Sequence, residues 1–360
     1  MSFLTGSHGV DSTEDCKLLF CGRVHNESDG ILLRARLQVS ARRLGFSPAQ
    51  REDMVLVAAE MASNQVKHAA GKGMLQVWQQ PGGALDLVAL DFGPGIGNVS
   101  LAQEDGYSTV HTLGKGLGSI RRLSDEFEIF SQPKEKDQQG LWHGTAAWAR
   151  FWMESPRRGG NAAARPAEDR AQIGLFSRPF SDDRFNGDRI YLERHGDKLR
   201  WLHLDGLGHG ENAQQAFANF TGHLFHKDNL SGELVDIDRC LAGTRGAVAV
   251  VTEVDLAGKS LSMLGVGDMS AHVYQDGEMH NFSFAPGILG REHKSAKVTR
   301  LACGRGCLIV TNSDGIRHGW DASSFPGLFG QHPQLVAYLL GNVMGRVSDD
   351  QSVCAVRINS

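Results

Sequence analysis

The stretch ESPRRGGNAAARPAEDRA, at residues 154–171, lies between two long segments rich in apolar patterns. It is dominated by Pro, Gly, Ala and charged residues without apolar periodicity, so neither a helix nor a strand is predicted there. Segments of this kind connect domains, and 360 residues suffice for two domains. We therefore predict a disordered N-terminus at 1–16, a first domain at 17–152, a linker at 153–172 and a second domain at 173–360.

Charge and composition exclude several classes of partner. A net charge of −4 and a pI near 6.4 argue against nucleic acid or an anionic membrane bound through bulk charge. No apolar run approaches the roughly 20 residues that cross a bilayer, and the first residues lack a signal-peptide pattern. The six cysteines are scattered, and the turn between Cys303 and Cys307 lacks the second pair of a zinc site. We expect a cytoplasmic protein with reduced cysteines.

The residues before the linker predict an α/β unit. Ser47, Pro48 and Gln50 form a helix-start pattern, with an N-cap, a proline in the first turn and a glutamine three residues after the cap. Apolar residues then recur at three-to-four spacing to about residue 70, which predicts one buried helix face. MLQVWQQ and ALDLVALD around PGG predict a hairpin. A helix after Gly116 and strands at 126–131 and 145–151 complete the unit.

Glu60 and Asn64 lie four residues apart on the predicted helix, so both project from one face, with His68 one turn further on. A carboxylate and a carboxamide placed this way can hold an attacking hydroxyl or water beside a Mg²⁺ ligand. The pair alone is a weak signal, because polar residues at this spacing also mark a solvated helix face.

Two glycine turns follow this helix. ALDFGPGIG places Asp91 at the end of a buried strand, where its carboxylate can accept a hydrogen bond from an exocyclic amine such as that of adenine, while the glycines let backbone approach base and sugar. In LGKGLGSIRRL the glycines directly precede and begin a predicted helix. The free N–H groups at the start of such a helix form an anion site, and Lys115 adds a positive charge there. The polar stretch at 98–112 suits a mobile lid over a nucleotide.

The boxes E-x-x-x-N, D-x-G-x-G, G-x-G-x-G and G-T stand in the order found in GHKL ATPases, and EDGYSTVHTLGKGLGSIRRLSDEFEI resembles the RsbT-type switch kinases. The resemblance covers about 17–152. It implies a Bergerat α/β sandwich that binds ATP and Mg²⁺ and phosphorylates Ser or Thr on STAS-domain proteins. Glu60 would be the base and Asn64 the Mg²⁺ ligand. The other nucleotide contacts it implies are Asp91, Gly93, Gly95, Gly114, Lys115, Gly116, Gly118 and Thr145. The polar segment QPKEKDQQGLWH before Thr145 departs from the family, so the length of the last hairpin stays open.

Strands dominate after the linker. RIYLER and LRWLHLD flank one turn, GAVAVVTEV and SLSMLGVGD flank another, and CLIVTNSDG and SVCAVRI look like buried strands. Helices at about 211–226 and 333–344 would cover the sheets. Acidic residues recur at the ends of these strands or in the turns beside them: Asp188, Asp205, Asp268, Asp314, Asp349 and Asp350.

Carboxylates from separate strands can converge on two hard divalent cations, which polarise phosphate oxygens and lower the pKa of a water molecule. The loop DGLGHG is not a Walker loop, because G-x-x-x-x-G-K-[ST] is absent. Each Asp-Gly pair taken singly indicates a turn, and Asp255 and Asp276 are interpreted so. Asp268 is left out of the site because it could equally brace its own turn.

The ordered set G-D, D-G-x-G-x-G, R-G-A-x-A, G-D, S-D-G and D-D-x-S resembles the PPM-type Ser/Thr phosphatases, in particular the SpoIIE, RsbU and RsbX branch. The resemblance covers about 173–360 and implies an αββα sandwich with two Mn²⁺ or Mg²⁺ ions. It implies that Asp205 bridges both ions and that the Gly206 carbonyl is offered as a further ligand. It assigns the remaining ligands to Asp314 and Asp349 for one ion and Asp188 for the other, with Asp350 less favoured. Val248 stands where the family more often has Thr, which would loosen local packing.

Together these resemblances predict an α/β protein of two enzymes with opposing activities. A kinase would phosphorylate a STAS-domain partner, and a phosphatase would remove the phosphate from the same or a related partner, in a pathway that controls a sigma factor or a second messenger. ATP, Mg²⁺ and Mn²⁺ are the expected cofactors, with neither nucleic acid nor membrane as partner. The alternative makes the first domain an ATP-loaded binding module that regulates the phosphatase without transferring phosphate. ATP hydrolysis as in chaperones is less favoured, because no long dimerisation segment is present.

Overall fold

A computed structural model of the chain describes residues 10–11, 16–69, 71–99, 116–134, 141–154, 170–180, 185–208, 210–218, 220 and 222–359. The chain divides into two compact units. The N-terminal unit comprises Lys17–Ala163 and Ser323–Gln331, and the C-terminal unit comprises Met1–Cys16, Ala164–Ala322 and His332–Ser360. The predicted domain limits stay predictions.

The first strand, β1 (Val10–Asp11), belongs to the C-terminal unit. It lies inside the segment predicted to be disordered, and that prediction is wrong for these two residues because their backbone pairs with Leu192 and Tyr191. Cys16 is also buried, and its thiol donates to the Leu175 carbonyl at 3.7 Å. Part of the predicted N-terminal tail is thus packed against the C-terminal unit's own sheets.

The N-terminal unit begins with β2 (Lys17–Val24), followed by helices α1 (Glu27–Arg43) and α2 (Pro48–His68). The predicted start of α2 is confirmed, because the Ser47 hydroxyl accepts from the Gln50 N–H and the Gln50 carboxamide accepts from the Ser47 N–H. Helix α1 was not predicted, although Asn26 and Asp29 form the same reciprocal cap. Both helices therefore start where side chains satisfy their free N–H groups.

One antiparallel sheet supports these helices. Its remaining strands are β3 (Gly73–Gln80), β4 (Ala84–Asp91), β5 (Glu126–Gln132) and β6 (Gly144–Trp152), and α3 (Gly116–Leu123) precedes β5. The strand order is β2-β3-β4-β6-β5. Helix α2 packs between α1 and α3 and on the sheet, in a core that includes Val57, Met61, Leu87 and Ala149. This α/β sandwich confirms the predicted hairpin, helix and strands.

The C-terminal unit contains the remaining elements. They are β7 (Ala171–Arg178), β8 (Asp188–His195), β9 (Lys198–Gly206), α4 (Glu211–Gln215), α5 (Leu230–Leu241), β10 (Ala247–Asp255), β11 (Ser260–Val266), β12 (Ser270–Gln275), β13 (Glu278–Phe282), β14 (Thr299–Ala302), β15 (Leu308–Asn312), α6 (Pro333–Met344) and β16 (Gln351–Ile358). A six-stranded sheet has the order β1-β8-β9-β10-β11-β14, and a five-stranded sheet has the order β13-β12-β15-β16-β7. Helix α5 packs on β10 and β11, and α6 packs on β7 and β16. The unit is the predicted αββα sandwich.

One helix of this unit differs from prediction. The helix expected at about 211–226 ends as α4 at Gln215. Within the rest of the predicted span, Gly222 has φ +77°, a left-handed conformation that an α-helix does not contain. Helix α5 follows instead, and Asn229 caps it by accepting from the Gly232 N–H at 2.8 Å. The predicted helix at 333–344 is confirmed as α6.

Within the part of the chain that the structure describes, none of the helices has the length and apolar character that crossing a membrane requires.

Candidate functional site

The first candidate site lies in the N-terminal unit, where α2 meets the start of α3. Glu60 and Asn64 are half-buried on one face of α2. A methyl group built on Gly116, the first residue of α3, would lie 2.9 Å from Oε2 of Glu60 and 3.8 Å from the Asn64 carboxamide. The structure thus brings Gly116 next to Glu60 and Asn64, which lie more than 50 residues earlier in the sequence. The absence of a side chain at Gly116 keeps the space in front of Glu60 open.

Asp91 ends β4 and is 8% exposed. Its Oδ1 accepts from the backbone N–H groups of Gly93 at 2.8 Å and Thr145 at 3.1 Å. Burial raises the pKa of Asp91, while these two hydrogen bonds and the nearby His68 and His143 lower it. Among the described residues no group bonds Oδ2, so this oxygen can accept a hydrogen bond from a ligand amine.

The glycine loop after Asp91 is held against the protein's own backbone. Gly95 has φ +75°, and a methyl group there would lie 2.4 Å from the Gln132 carbonyl oxygen. A methyl group on Gly144 would lie 2.2 Å from the Asp91 carbonyl oxygen. These two glycines are therefore required for close packing of the loop against β5 and β6, in addition to any approach to a nucleotide.

Three side chains that the sequence did not single out fix this loop. Ser131 donates to the Gly144 carbonyl at 2.8 Å, accepts from the Ile96 N–H at 2.8 Å and lies 3.0 Å from the Thr145 hydroxyl. Trp142 donates from its indole to the Asp91 carbonyl at 3.0 Å. A ring nitrogen of His143 lies 2.7 Å from the Gly93 carbonyl oxygen.

The remaining predicted nucleotide contacts are divided between described and undescribed residues. Gly93 packs against Ala69, and Gly118 lies within α3. Gly114, Lys115 and most of the predicted lid at 98–112 lie outside the described residues. Their assignment stays a prediction.

The second candidate site lies in the C-terminal unit, at the ends of strands from both sheets. Asp188 opens β8 and Asp205 lies near the end of β9, and the two are direct cross-strand partners. Asp314 follows β15 by two residues and Asp349 precedes β16 by two, and these strands are neighbours in the five-stranded sheet. Folding thus places these four predicted positions, which are far apart in sequence, at the ends of neighbouring strands in each sheet.

The electrostatics confirm that these carboxylates act on one another. Burial and then Asp188, Asp314, Asp349 and Asp268 raise the pKa of Asp205 well above its ordinary value. Burial, Asp349 and Asp268 raise the pKa of Asp314, whereas Arg346 and His318 lower it.

Asp268, which the sequence analysis left out, belongs to this group of acidic residues by its effect on both Asp205 and Asp314. Its position in the turn after β11 was visible in the sequence, but its proximity to the other carboxylates was not.

Asp188 provides the test of whether this group fits a divalent cation. Its side chain is completely buried, with Oδ2 accepting from the Ser352 hydroxyl at 2.6 Å, whereas Oδ1 is buried and has no hydrogen-bond partner among the residues that the structure describes. Among the described residues, no three His, Cys, Asp or Glu side chains converge closely enough to ligate one ion. The unpartnered oxygen and the mutual repulsion nevertheless fit a cation, because a cation neutralises carboxylates that are costly to bury together.

Asp350 has a different role from its neighbour Asp349. Its Oδ1 accepts from the Phe180 N–H at 2.6 Å and its Oδ2 accepts from the Gly187 N–H at 2.7 Å. Both oxygens therefore hold the chain that leads into β8. Gly315 completes this packing, because a methyl group there would lie 1.8 Å from the Asp350 carbonyl oxygen.

Two further predicted positions lie beside Asp205. Gly206 ends β9, where a methyl group would lie 2.9 Å from the Ala213 carbonyl oxygen. Val248 is the cross-strand partner of Asp205. It is 9% exposed and packs with Val250, Met269 and Phe284. Val248 is thus part of a small apolar cluster, and the expected effect of replacing Thr there stays a prediction.

The stability of the metal-free protein is expected to fall as pH rises. Burial raises the pKa of Asp188 from 3.8 to about 7, so between these values the folded state binds a proton that the unfolded state has released. The stabilising proton is present below pH 4 and is lost as pH rises through about 7. Thermal unfolding with EDTA should therefore give a lower Tm at pH 8 than at pH 5.5, by about 2–4 °C for each kcal/mol lost.

Asp188→Asn provides the control for this pH dependence, because it removes one titrating group and should make the fall in Tm smaller; Asp205 and Asp314, whose pKa values are also raised, account for the remainder. An unchanged profile in that variant would contradict the assignment to Asp188.

Comparison with known proteins gives two kinds of similarity. Residues 30–139 match the family described as histidine kinase-like ATPase domain. The serine/threonine-protein kinase RsbT of Bacillus subtilis (strain 168) is 35% identical over 114 residues, which cover 31% of this chain and 85% of RsbT.

Solved structures similar to the chain include one from work on the bacterial stressosome, a modular system that has been adapted to control secondary messenger signaling. Its identity to this chain is 25% and its TM-score is 0.48, and the match covers 52% of this chain and 99% of that chain. RsbX in complex with magnesium has 17% identity and a TM-score of 0.46 over 53% and 96%. The PP2C phosphatase domain of SpoIIE from Bacillus subtilis, with a fragment of its regulatory domain, has 16% identity and a TM-score of 0.46 over 91% and 98%.

Proposed function

Because the chain belongs, through its N-terminal unit, to the histidine kinase-like ATPase family of RsbT, we propose that this unit is a protein serine/threonine kinase. We assign the opposing activity, a metal-dependent phosphoserine and phosphothreonine phosphatase, to the C-terminal unit. The substrate of both is a STAS-domain protein of a cytoplasmic partner-switching pathway in a bacterium. One observation carries the proposal: each unit has its own site, with Glu60, Asn64 and Asp91 in the N-terminal unit and the aspartates at strand ends in the C-terminal unit. The side chains of each site are of the kind that the activity proposed for that unit requires.

In the kinase unit, the residues position two reactants. Oδ2 of Asp91, which has no hydrogen-bond partner among the described residues, would accept from the exocyclic amine of adenine. The backbone N–H groups of Gly93 and Thr145 hold Oδ1 in place. The Glu60 carboxylate would accept the proton of the substrate hydroxyl as that oxygen bonds to the γ-phosphorus of ATP and the bond to the β-phosphate oxygen breaks, which releases ADP. Asn64, one turn along the helix, is the residue that would hold Mg²⁺, which neutralises phosphate charge when it is bound. The N–H groups at the start of α3 would face the phosphates.

In the phosphatase unit, Asp188, Asp205, Asp314 and Asp349 would hold divalent cations, with the Gly206 carbonyl as a further ligand. When bound, two such cations polarise the phosphate and lower the pKa of a water molecule. The chain's own contribution is to place the carboxylates at strand ends, with Asp188 fully buried and the other three half-buried. Asp350 keeps the segment before β8 in place through two backbone N–H groups.

The pathway assignment is tested with labelled ATP and STAS-domain proteins from the same genome. The enzyme is the Asp205→Ala variant, whose phosphatase site is disabled, so any transferred phosphate accumulates. Label on a STAS protein supports the kinase. Tight ATP-dependent binding without label would instead support the non-catalytic module, and neither label nor binding to any STAS protein would overturn the partner assignment.

A further inference from the structure

Four buried side chains form a hydrogen-bonded chain that ends on Asp188. The Trp201 indole donates to the Thr311 hydroxyl at 3.4 Å, and that hydroxyl lies 3.0 Å from Nδ1 of His203. Nε2 of His203 lies 2.7 Å from the Ser352 hydroxyl, which donates to Oδ2 of Asp188 at 2.6 Å. The exposed fraction of every member is 0%. Burying several polar side chains together costs free energy unless each of them has a hydrogen-bond partner.

The direction of each hydrogen bond in this chain follows from chemistry. The Ser352 proton is used on the carboxylate, so the Ser352 oxygen accepts from Nε2–H of His203. The two ring nitrogens of His203 face two hydroxyl groups, and a neutral imidazole with its one proton on Nε2 satisfies both. Nδ1 therefore accepts from the Thr311 hydroxyl. All donors point along the chain toward Asp188.

The chain also joins the two sheets of the C-terminal unit. Trp201 and His203 lie on β9 in the six-stranded sheet, whereas Thr311 and Ser352 lie on β15 and β16 in the five-stranded sheet. The orientation of one carboxylate oxygen is thus fixed from both layers of the sandwich. The other oxygen, Oδ1, is buried and has no hydrogen-bond partner in the described part of the chain.

The geometry points to Ser352 as a positioning residue that, oriented by His203 and Thr311, binds Oδ2 of Asp188 and so directs Oδ1 toward a divalent cation. This inference rests on the proposed phosphatase function. Hydrogen bonds to a ligand's second oxygen typically change metal affinity or activity by about 10–100-fold. Ser352 would accordingly act on metal affinity without touching the substrate.

Mn²⁺ binding to the full chain, measured by isothermal titration calorimetry, tests the inference independently of activity. Ser352→Ala removes the hydroxyl and should raise the Kd for Mn²⁺ about tenfold or more. Thr311→Val removes the donor to His203 while keeping the side-chain shape, and should raise the Kd in the same direction by a smaller factor. Thr252→Val is the matched control, because the Thr252 hydroxyl is equally buried and has no partner among the described residues.

The outcomes separate the inference from the proposal beneath it. If the parent protein binds no Mn²⁺, the phosphatase proposal and this inference both fail. If the parent binds Mn²⁺ and Ser352→Ala binds it equally well, only the positioning role fails. The positioning role also fails if Thr252→Val weakens Mn²⁺ binding as much as Thr311→Val does. Should Ser352→Ala not fold, the two isosteric valine variants decide. A merely structural hydroxyl would lower the Tm of the metal-free protein and leave the Kd unchanged.

Discussion

Asp205→Ala is expected to reduce Mn²⁺-dependent hydrolysis of phosphoserine substrates by more than about 100-fold, because loss of a direct ligand should exceed the effect of losing an outer hydrogen bond. Asp205 is the carboxylate whose pKa all four other acidic neighbours raise, so it lies at the centre of the acidic group. Hydrolysis of p-nitrophenyl phosphate with added Mn²⁺ measures the loss. ATP binding should be unchanged, because the nucleotide residues lie in the other unit.

The control for this variant is Asp255→Ala. Asp255 accepts from the N–H groups of Ala257 and Gly258 in a turn of the same unit. Asp255→Ala is therefore the same chemical change made outside the acidic group. Asp255→Ala should keep the parent's activity. The metal-free Asp205→Ala protein should remain folded, since the substitution removes a charge that repels Asp188 and Asp314. Mn²⁺-dependent turnover that survives in Asp205→Ala would refute the assignment of Asp205 as a bridging ligand.

Elements whose signals are local could be predicted from the sequence. The start of α2 depends on Ser47 and Gln50, which contact each other within one turn, and the hairpin of β3 and β4 depends on a Pro-Gly-Gly turn between apolar strands. In these cases the residues that determine the structure are adjacent in the chain. Prediction needed no knowledge of tertiary packing.

The missed helices show where local signals are insufficient. Helix α1 has Ile31 and Leu32 at 57% and 65% exposure, so its apolar residues are not confined to one face and its periodicity is obscured. After α4, Phe217 and Leu224 are buried outside any helix. Tertiary packing of an irregular segment explains their burial, and a helix predicted over the whole span does not account for it.

The same distinction applies to the acidic site. Strand ends carrying aspartates could be identified from the sequence, and antiparallel pairing places Asp188 beside Asp205. Contacts between sheets could not be identified, because nothing in the sequence near His203 indicates Ser352, 149 positions away. Asp268 was ambiguous for a related reason: its place beside Asp314 depends on the pairing of β12 with β15, in which Ser270 faces Asn312, and the sequence does not show which strands pair.

In the N-terminal unit, Asn64→Ala should weaken Mg²⁺·ATP binding or phosphate transfer at least about tenfold, equivalent to about 1.4 kcal/mol. The reason is that Asn64 is the predicted Mg²⁺ ligand on the face of α2 that meets Gly116. The fold should persist, because the half-buried Asn64 is outside the apolar core and Ala favours a helix by up to about 0.7 kcal/mol.

Binding of ATP with and without Mg²⁺, followed by calorimetry, separates the ligand role from simple contact with the nucleotide. Asn64→Ala should lose the affinity that Mg²⁺ adds and keep the weaker binding of ATP alone, because Asp91 is untouched. Gln38→Ala, which removes an exposed carboxamide from α1, should match the parent in both titrations. Full Mg²⁺-dependent affinity together with normal labelling of a STAS protein by Asn64→Ala would exclude Asn64 as the Mg²⁺ ligand, since a carboxamide oxygen cannot be replaced by a methyl group in metal coordination.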